Sequence, residues 1–362
     1  MPNTKPKHLA ILTLRNEGAF VIDWLAYHRA IGFSDFLVFS NDCQDGTDLL
    51  LDRLQDLGWL THCRNNGPHK EGPQWSALKA AGRHPLKAAA DWVLVLDIDE
   101  YVNIHVGDGT LAALLAALPE ATAIPLTWRL FGNGGIVDYE DRPIPEIFTR
   151  AAPAVMGWPW RAAMFKTFFR NDGCYARLGV HRPRQPDAAR LAGQHWFDGS
   201  GRALPARFHK EQVFSPFGQD NYRLAQLNHY ALGAMESYVL KCDRGRANRA
   251  ASVFDLSYWV ERNFAAEHDG SLAAKSGLSA PFKASLHADP RLSDLHQKAV
   301  LWRQRRFAQL MEEEPYRSLF GRLLMAPASR VLTPAESRFL LNHAARDKVQ
   351  PQAETKVDDK TN

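Results

Sequence analysis

The sequence predicts an α/β protein. A mostly parallel sheet flanked by helices is followed by an irregular region of β structure and loops, then by a helical C-terminal part. Three observations point there. Short apolar runs alternate with amphipathic stretches four times in the first hundred residues, the pattern of βαβ units. The polar clusters "RNE", "SNDCQDG" and "DIDE" stand at the ends of three of those runs, where open α/β sheets bind ligands. Beyond Ser252 the apolar residues recur mainly at helical spacing.

The elements follow in order. "HLAILTL" reads as a strand buried on both faces. In "EGAFVIDWLAYHRAIG", Phe20, Val21, Trp24, Leu25, His28 and Ile31 share helical spacing, and Gly32 stands where a C-terminal cap belongs. "DFLVFS" is a second strand. "DGTDLLLDRLQDLG" is a second helix with Asp45 as its N-cap and Gly58 at its end. "WLTHC" is a third strand. "PQWSALKAAGRHPLKAAA" is a helix that opens on proline and is interrupted near Pro85. "DWVLVLD" is the fourth strand. Further on, "GDGTLAALLAALPE" predicts a helix, "TAIPLTWRLFG" a strand leaving through "GNGG", "QLNHYAL" a short strand and "AMESYVLKCDRG" a helix. From Asp138 to Pro216 the chain is rich in Pro, Gly, Arg and aromatic residues, which suits long loops that carry a binding surface. "SYWVERNFAAE" and "LHQKAVLWRQRRFAQLMEEE" predict helices, and the polar stretch from Lys348 predicts disorder.

A formal charge of +4 with no basic run argues against nucleic acid as the main partner. Cys43, Cys63, Cys174 and Cys242 are far apart and form no CxxC, so a cysteine zinc site is not expected and free thiols in a reducing compartment are. The first residues lack the apolar core and cleavage site of a signal peptide. No apolar run approaches the ~20 residues that cross a bilayer. The expectation is a cytoplasmic protein without a transmembrane segment, with peripheral membrane contact left open.

"DWVLVLDIDEYVN" carries the chemistry. If the strand stays extended, Asp97 and Asp99 project to one side. Two carboxylates aimed at one point raise each other's pKa unless a cation lies between them. A hard divalent ion that bridges to phosphates removes that cost, so Mn²⁺ or Mg²⁺ holding a diphosphate is one reading. The other is an acidic strand end in water, with Asp99 or Glu100 capping the next segment.

The pieces "LTLRNEGAFVIDWLAYHRAIGFSDFLVFSNDCQDGT", Gln74, "WVLVLDIDEYV", "TWRLFGNGG" and "NHYALGAMESYVLKCDRGRANR", in that order, resemble glycosyltransferases with the GT-A fold. The likeness is to family 2 and the related family 92, over roughly residues 8–250. It implies a metal-dependent, inverting enzyme. Such an enzyme moves a sugar from a nucleotide-sugar donor, a UDP-sugar, to a hydroxyl of a saccharide or lipid-linked acceptor in surface glycan synthesis. By position the nucleotide falls on Thr13, Arg15, Asn16 and Glu17, then on Asn41 and Asp45 where the family commonly offers an aspartate, and on Gln74. The metal falls on Asp97 and Asp99, the first of them near the ribose, and "NHY" suggests His229 as a further ligand, since imidazole suits Mn²⁺. Lys241, Arg244 and Arg246 would neutralise the leaving diphosphate, or else form a solvated helix end.

The same resemblance requires a carboxylate base beyond Asp99. The candidates are Asp138, Glu146, Asp198 and Glu211, with Glu146 favoured. Trp128, Phe131, Trp158, Trp160 and Trp196 could stack on sugars or pack in the core, while Trp24, Tyr27 and His28 read as packing. The division expected is a nucleotide-sugar half over 1–130, an acceptor half over 131–250, a helical extension over 251–347 and a disordered tail over 348–362. Two other readings remain: a non-catalytic nucleotide-sugar or carbohydrate-binding protein on the same fold, and a DxD phosphatase of the haloacid dehalogenase type. Against the phosphatase, Tyr101 stands where that motif expects Thr or Val.

Overall fold

The computed structural model describes residues 6–245 and 255–347. Its first hundred residues alternate strands and helices as the sequence predicts: β1 (His8–Leu14), α1 (Gly18–Ala30), β2 (Asp35–Ser40), α2 (Thr47–Asp56), β3 (Thr61–Arg64), α3 (Pro73–Ala81), α4 (Pro85–Ala89) and β4 (Trp92–Leu96). The break at Pro85 is real, because Pro85 opens α4 and His84 caps it by accepting from Leu86 N. Then come β5 (Glu100–Ile104), α5 (Leu111–Ala117), β6 (Ala123–Leu130), α6 (Ile144–Ile147), β7 (Arg150–Ala151), β8 (Phe165–Arg170), β9 (Tyr175–Arg177), β10 (Arg184–Pro186) and β11 (Ala225–His229). The chain continues through α7 (Met235–Arg244), α8 (Leu256–Val260), β12 (Glu267–His268), α9 (Ser276–His287), α10 (Pro290–Glu312), α11 (Glu314–Met325) and α12 (Pro334–Asp347).

Eight strands form one sheet in the order β3-β2-β1-β4-β8-β6-β11-β5. The first four are parallel, β8 runs antiparallel to both neighbours, β6 and β11 are parallel, and β5 is antiparallel to β11. This is the mostly parallel α/β class that the sequence predicts. β4 and β5 are joined by residues 97–99 alone, yet three strands lie between them. Four strand spacings laid flat would span ~19 Å, whereas four extended residues reach at most ~14 Å. The sheet therefore curls, and the curl brings β5 back against the end of β4.

One consequence corrects the sequence reading. The extended conformation does not persist past Leu96. The chain turns at Asp97–Asp99, closed by Glu100 N donating to Asp97 O (3.1 Å) and Asp97 N donating to Glu100 Oε2 (2.9 Å). The side chains of Asp97 and Asp99 are thus set by a turn and not by strand alternation.

Helix α1 holds β5 in place from beneath. Trp24 Nε1 donates to Glu100 O (2.9 Å) and Tyr27 OH to Val102 O (2.6 Å). His28 is buried between them, where burial pushes its pKa down to about 3 against the pull of the Trp24 carbonyl. All three are packing residues, as expected. Helices α9 and α10 cover the other side of α1, and Leu286, Leu292 and Leu295 join the same core as Leu25 and Tyr101. Lys283 pairs with Asp23 at 3.1 Å across that contact.

The "GNGG" segment is a packed turn. A Cβ on Gly132 would lie 2.2 Å from Phe264 O, and Asn133 N donates to Asn263 Oδ1 (2.9 Å). The helix expected over "SYWVERNFAAE" ends early, at Val260. Arg262 N and Asn263 N both bond Trp259 O, at 3.0 and 2.9 Å, which closes the helix in a tight turn. The tail from Lys348 and Arg246 lie outside the described residues. Among the described residues no helix is long and apolar enough to cross a membrane.

Candidate active site

A cleft of about 830 Å³ opens at the carboxyl ends of β1, β2 and β4, the position that open parallel sheets reserve for ligands. Thr13, Arg15 and Glu17 reach its wall from the end of β1 and the loop beyond, Asn41 from the end of β2, and Gln74 from α3. Asp97 and Asp99 reach it from the turn after β4, His229 from the last residue of β11, and Lys241 and Arg244 from α7. Segments more than two hundred residues apart in sequence thus meet in one place.

Two of the nucleotide candidates do not lie on that wall. Asp45 is buried and its carboxylate is spent on structure: Oδ2 accepts from Gly18 N (3.0 Å), and Oδ1 from Thr47 N (2.9 Å) and Thr47 Oγ1 (2.6 Å). It ties the start of α1 to the start of α2, one residue ahead of the N-cap position, which Gly46 fills. Asn16 is buried at φ +54°, with Oδ1 accepting from Gln44 N (2.7 Å). Both support the loops that shape the cleft. Asn41 does face it, with Nδ2 donating to Leu14 O (2.9 Å).

The acidic turn meets two lysines. Asp97 Oδ2 accepts from Lys166 Nζ (2.9 Å) and Oδ1 from Gln74 Nε2 (3.3 Å). Lys166, on β8, is wholly buried and stands 3.4 Å from Glu100 Oε2 as well. Burial opposes its charge, but Asp97 and Glu100 outweigh burial and hold its pKa above the ordinary lysine value. Burial also pushes the Glu100 carboxyl above the usual carboxylate range, with Lys166 pulling the other way. Its Oε1 accepts from Trp128 Nε1 (2.7 Å).

Asp99 Oδ2 accepts from Lys241 Nζ (2.7 Å), which also donates to Ala231 O (2.7 Å). Burial would raise the Asp99 pKa. Lys241, with His229 and Lys166 behind it, outweighs that and holds it well below the usual carboxylate range. The other oxygen, Oδ1, lies 3.9 Å from His229 Nε2. Arg244 is used differently. It pairs with Glu17 and donates to Arg15 O (3.2 Å), so it locks the end of α7 to the loop after β1.

A divalent ion fits part of the expected ligand set. Burial pushes the His229 pKa down to about 3, against Asp99, so its imidazole is neutral and has a lone pair to offer. Its Nδ1 is buried without a hydrogen-bond partner. Asp99 and His229 are close enough to share an ion. Asp97 is not part of that pair, because its two oxygens are taken by Gln74 and Lys166. Among the described residues no group of three or more His, Cys, Asp or Glu side chains is gathered to hold a metal. Two protein ligands suffice for an ion that completes its shell with water and substrate phosphates.

The carboxylates expected as base stand elsewhere. Glu146 lines a small separate recess beside Tyr27 and Tyr101. Asp198 is 1% exposed, accepts from Ser200 N and Arg202 N (2.9 Å each), and pairs with Arg202 Nε (2.8 Å). Asp138 lines an apolar side chamber behind Lys241, and Glu211 is exposed outside the cleft. Beyond Asp99, the carboxylates that reach the cleft wall are Asp255 and Glu261. Of the aromatic candidates, Trp128 and Trp160 are on the wall, whereas Phe131 and Trp196 are core.

Sequence reasoning missed Lys166, Tyr258, Glu261 and Arg262. Lys166 had a signal, a lone lysine inside the apolar strand "FKTFFR". A lysine is almost never fully buried unless paired, so it called for acids nearby. The other three sit in a stretch that reads as an ordinary amphipathic helix.

No family model matches the chain. It is 30% identical over 108 residues to a glycosyltransferase family 92 protein of Ricinus communis, which covers 28% of this chain and 18% of that protein. It is 27% identical over 128 residues to a glycosyltransferase family 92 protein of Oryza sativa subsp. japonica, which covers 34% of this chain and 21% of that one. The chain thus spans about a fifth of the length of the curated relatives it matches. Among solved structures it is similar to S. aureus TarS 1-349 (TM-score 0.30, 17% identity, 46% of this chain and 47% of that one). It is also similar to glucosyl-3-phosphoglycerate synthase of Mycobacterium tuberculosis in complex with Mn²⁺, UDP and glucosyl-3-phosphoglycerate (TM-score 0.24, 16% identity, 34% and 45%). The likeness to family 92 read from the sequence is therefore met by direct comparison. The fold is α/β, with one curled, mostly parallel sheet flanked by helices.

Proposed function

We propose that the protein is a glycosyltransferase that takes a sugar from a nucleotide-sugar donor, a UDP-sugar, with the help of Mn²⁺ or Mg²⁺. The observation that carries this reading is the meeting of Asp99, His229 and Lys241 in a cleft at the strand ends, opposite Thr13 and Arg15. The likeness to family 92 proteins supports it.

In this reading the nucleoside lies between the β1 and β2 loops, and Asp97, fixed by Lys166 and Gln74, meets the ribose. The ion, held by Asp99 and His229 and by the donor's phosphates, would lower the charge on the leaving diphosphate. Lys241 adds a fixed positive charge at the same point. The acceptor hydroxyl approaches from the side of Trp160, and a carboxylate on that wall takes its proton in a single inverting displacement. Asp255 and Glu261, carboxylates on the cleft wall, are the candidates for it. The acceptor is a saccharide or a lipid-linked saccharide, in cytoplasmic synthesis of a surface glycan.

The test is calorimetry with a panel of nucleotide sugars, with and without Mn²⁺. At least one UDP-sugar should bind more tightly with Mn²⁺, and Asp99→Ala should lose that gain. Equal donor affinity in wild type and Asp99→Ala would remove the metal assignment. Asp255→Asn and Glu261→Gln should both keep donor binding, and one of them should lose transfer. Donor binding without transfer or hydrolysis in the wild type would favour a non-catalytic binding protein.

A further inference from the structure

Arg262 lies beyond the stretch that the resemblance covers, yet it stands on the cleft wall. Its side chain is 9% exposed, so a permanent charge has been drawn almost wholly out of water. The guanidinium carbon lies 3.6 Å from the centroid of the Tyr258 ring, and Nη1 donates to Tyr258 O and to Glu261 Oε2, both at 3.3 Å. Nε is buried and has no hydrogen-bond partner. A buried donor left in that state is costly, and more so when it belongs to a charged group. Such a donor calls for an acceptor. Among the described residues, buried side-chain nitrogens or oxygens without a hydrogen-bond partner occur on two residues of the cleft wall, Arg262 and His229.

The two share one cleft wall. Burial first, then Lys241 and Arg262 against Asp99, keep the His229 imidazole neutral. Lys241 Nζ lies 5.7 Å from the centroid of the same Tyr258 ring. One aromatic ring therefore has two cations against it, contacts that ring quadrupoles favour. Lys241 is paired with Asp99, and the carboxylate beside Arg262 is not its alone. Glu261 is shared between Arg262 and Arg161, whose Nη1 is 3.1 Å away, so one carboxylate serves two guanidinium groups. Arg262 is also held in place beforehand. Its neighbours Asn263 and Phe264 are clamped against Asn133 and Gly132, so little order has to be gained on binding.

We propose that Arg262 binds the terminal phosphate of a nucleoside diphosphate group and makes the cleft distinguish a diphosphate from a monophosphate. This rests on the nucleotide-sugar reading above. A planar guanidinium suits that task, because it offers several donors in a fixed fork to phosphate oxygens.

The test measures affinity by calorimetry, in Mn²⁺, for uridine, UMP and UDP, with the guanosine set in parallel, on wild type, Arg262→Gln and Arg262→Lys. Arg262→Gln should weaken the diphosphate about 10- to 100-fold, the effect of one charge-assisted hydrogen bond. The monophosphate should change by less than about threefold, and the nucleoside not at all, which shows that the cleft is intact. Arg262→Lys keeps the charge without Nε and should recover part of the loss. Equal weakening of mono- and diphosphate, or an unchanged diphosphate affinity, overturns the assignment of Arg262 alone. If Arg262→Gln does not fold, wild-type diphosphate affinity in Arg262→Lys overturns it equally. A wild type that binds none of these nucleotides overturns the nucleotide-sugar reading and this inference with it.

Discussion

Asp97 and Asp99 are two residues apart and each meets a lysine, yet their surroundings are built to different ends. Around Asp97 the protein supplies a partner to each carboxylate oxygen, although the side chain still reaches the cleft wall. Lys166 and Glu100 are wholly buried, Trp128 supplies its indole N–H, and Gln74 takes the remaining oxygen. Around Asp99 the set of partners is open. Asp97 is the more exposed of the two side chains, 36% against 21%, so the difference lies in the partners: the second carboxylate oxygen of Asp99 faces His229 across 3.9 Å, and Arg262 and His229 each keep an unpaired buried nitrogen. Lys166 and Glu100 are wholly buried with their partners supplied by protein, and a pair of that kind specifies structure. Incomplete pairing on a cleft wall is what a ligand completes.

That contrast can be broken most forcefully at Lys166. Replacing it with Met leaves two acids facing each other without their cation, and the loss of one partner from a buried ion pair costs about 3–5 kcal/mol. Urea unfolding of Lys166→Met should show a fall of that order; a loss under about 1 kcal/mol would mean that the Asp97 surroundings are not a closed network. The next effect should separate the two acids. Asp99→Asn should abolish the gain in donor affinity that Mn²⁺ brings, whereas Asp97→Asn should keep the gain and weaken the donor with and without the ion alike. An equal loss of the Mn²⁺ effect in both would erase the distinction.

A smaller effect is expected from pH. His181 lies against Trp128, and burial, aided by Lys166, pushes its pKa down to about 4. The unfolded histidine takes a proton below ~6.5, while the folded one does not until about 4. Its contribution is therefore fully present above that higher value and declines as pH falls from there toward 4. The decline is at most about 1.4 kcal/mol per pH unit. Unfolding measured across that range should be correspondingly flatter for His181→Gln. The smallest effect is expected at Glu146, which is outside both sets. Glu146→Gln should leave transfer within about twofold of wild type, since substitutions away from such features stay near ±0.5 kcal/mol. A large loss there would restore it as the base.

The strand ends were legible because parallel sheets bury both faces. "HLAILTL", "DFLVFS" and "WVLVL" announce themselves as strands, and the polar residues that follow must then lie together. Asp99 could be placed in that way, whereas His229 and Lys241 came from the likeness of "NHYALGAMESYVLKCDRGRANR" to glycosyltransferases. Asp45 misled because a short acidic side chain beside a glycine serves a helix start as readily as a ligand, and only its bonds to Gly18 and Thr47 decide between them. Strand alternation misled at Asp97, since nothing in "LDIDEY" marks the turn that β5 requires. Glu146 and Asp198 were chosen from loops whose course is set by long-range packing. Arg262 was invisible for the same reason: its place depends on Gly132 and Asn133, some 130 residues earlier.

The curl of the sheet also fixes the order in which the protein can become competent. During synthesis the acids appear first. The lysine that meets Asp97 follows 69 residues later, and the one that meets Asp99 follows 142 residues later. Strands β8, β6 and β11, which must slot between β4 and β5, all come after both acids. A ribosome-released fragment ending near residue 130 would keep the wall that carries Thr13, Asn41 and Gln74 but not the wall that carries His229, Lys241 and Arg262, so this half is not a portable binding module.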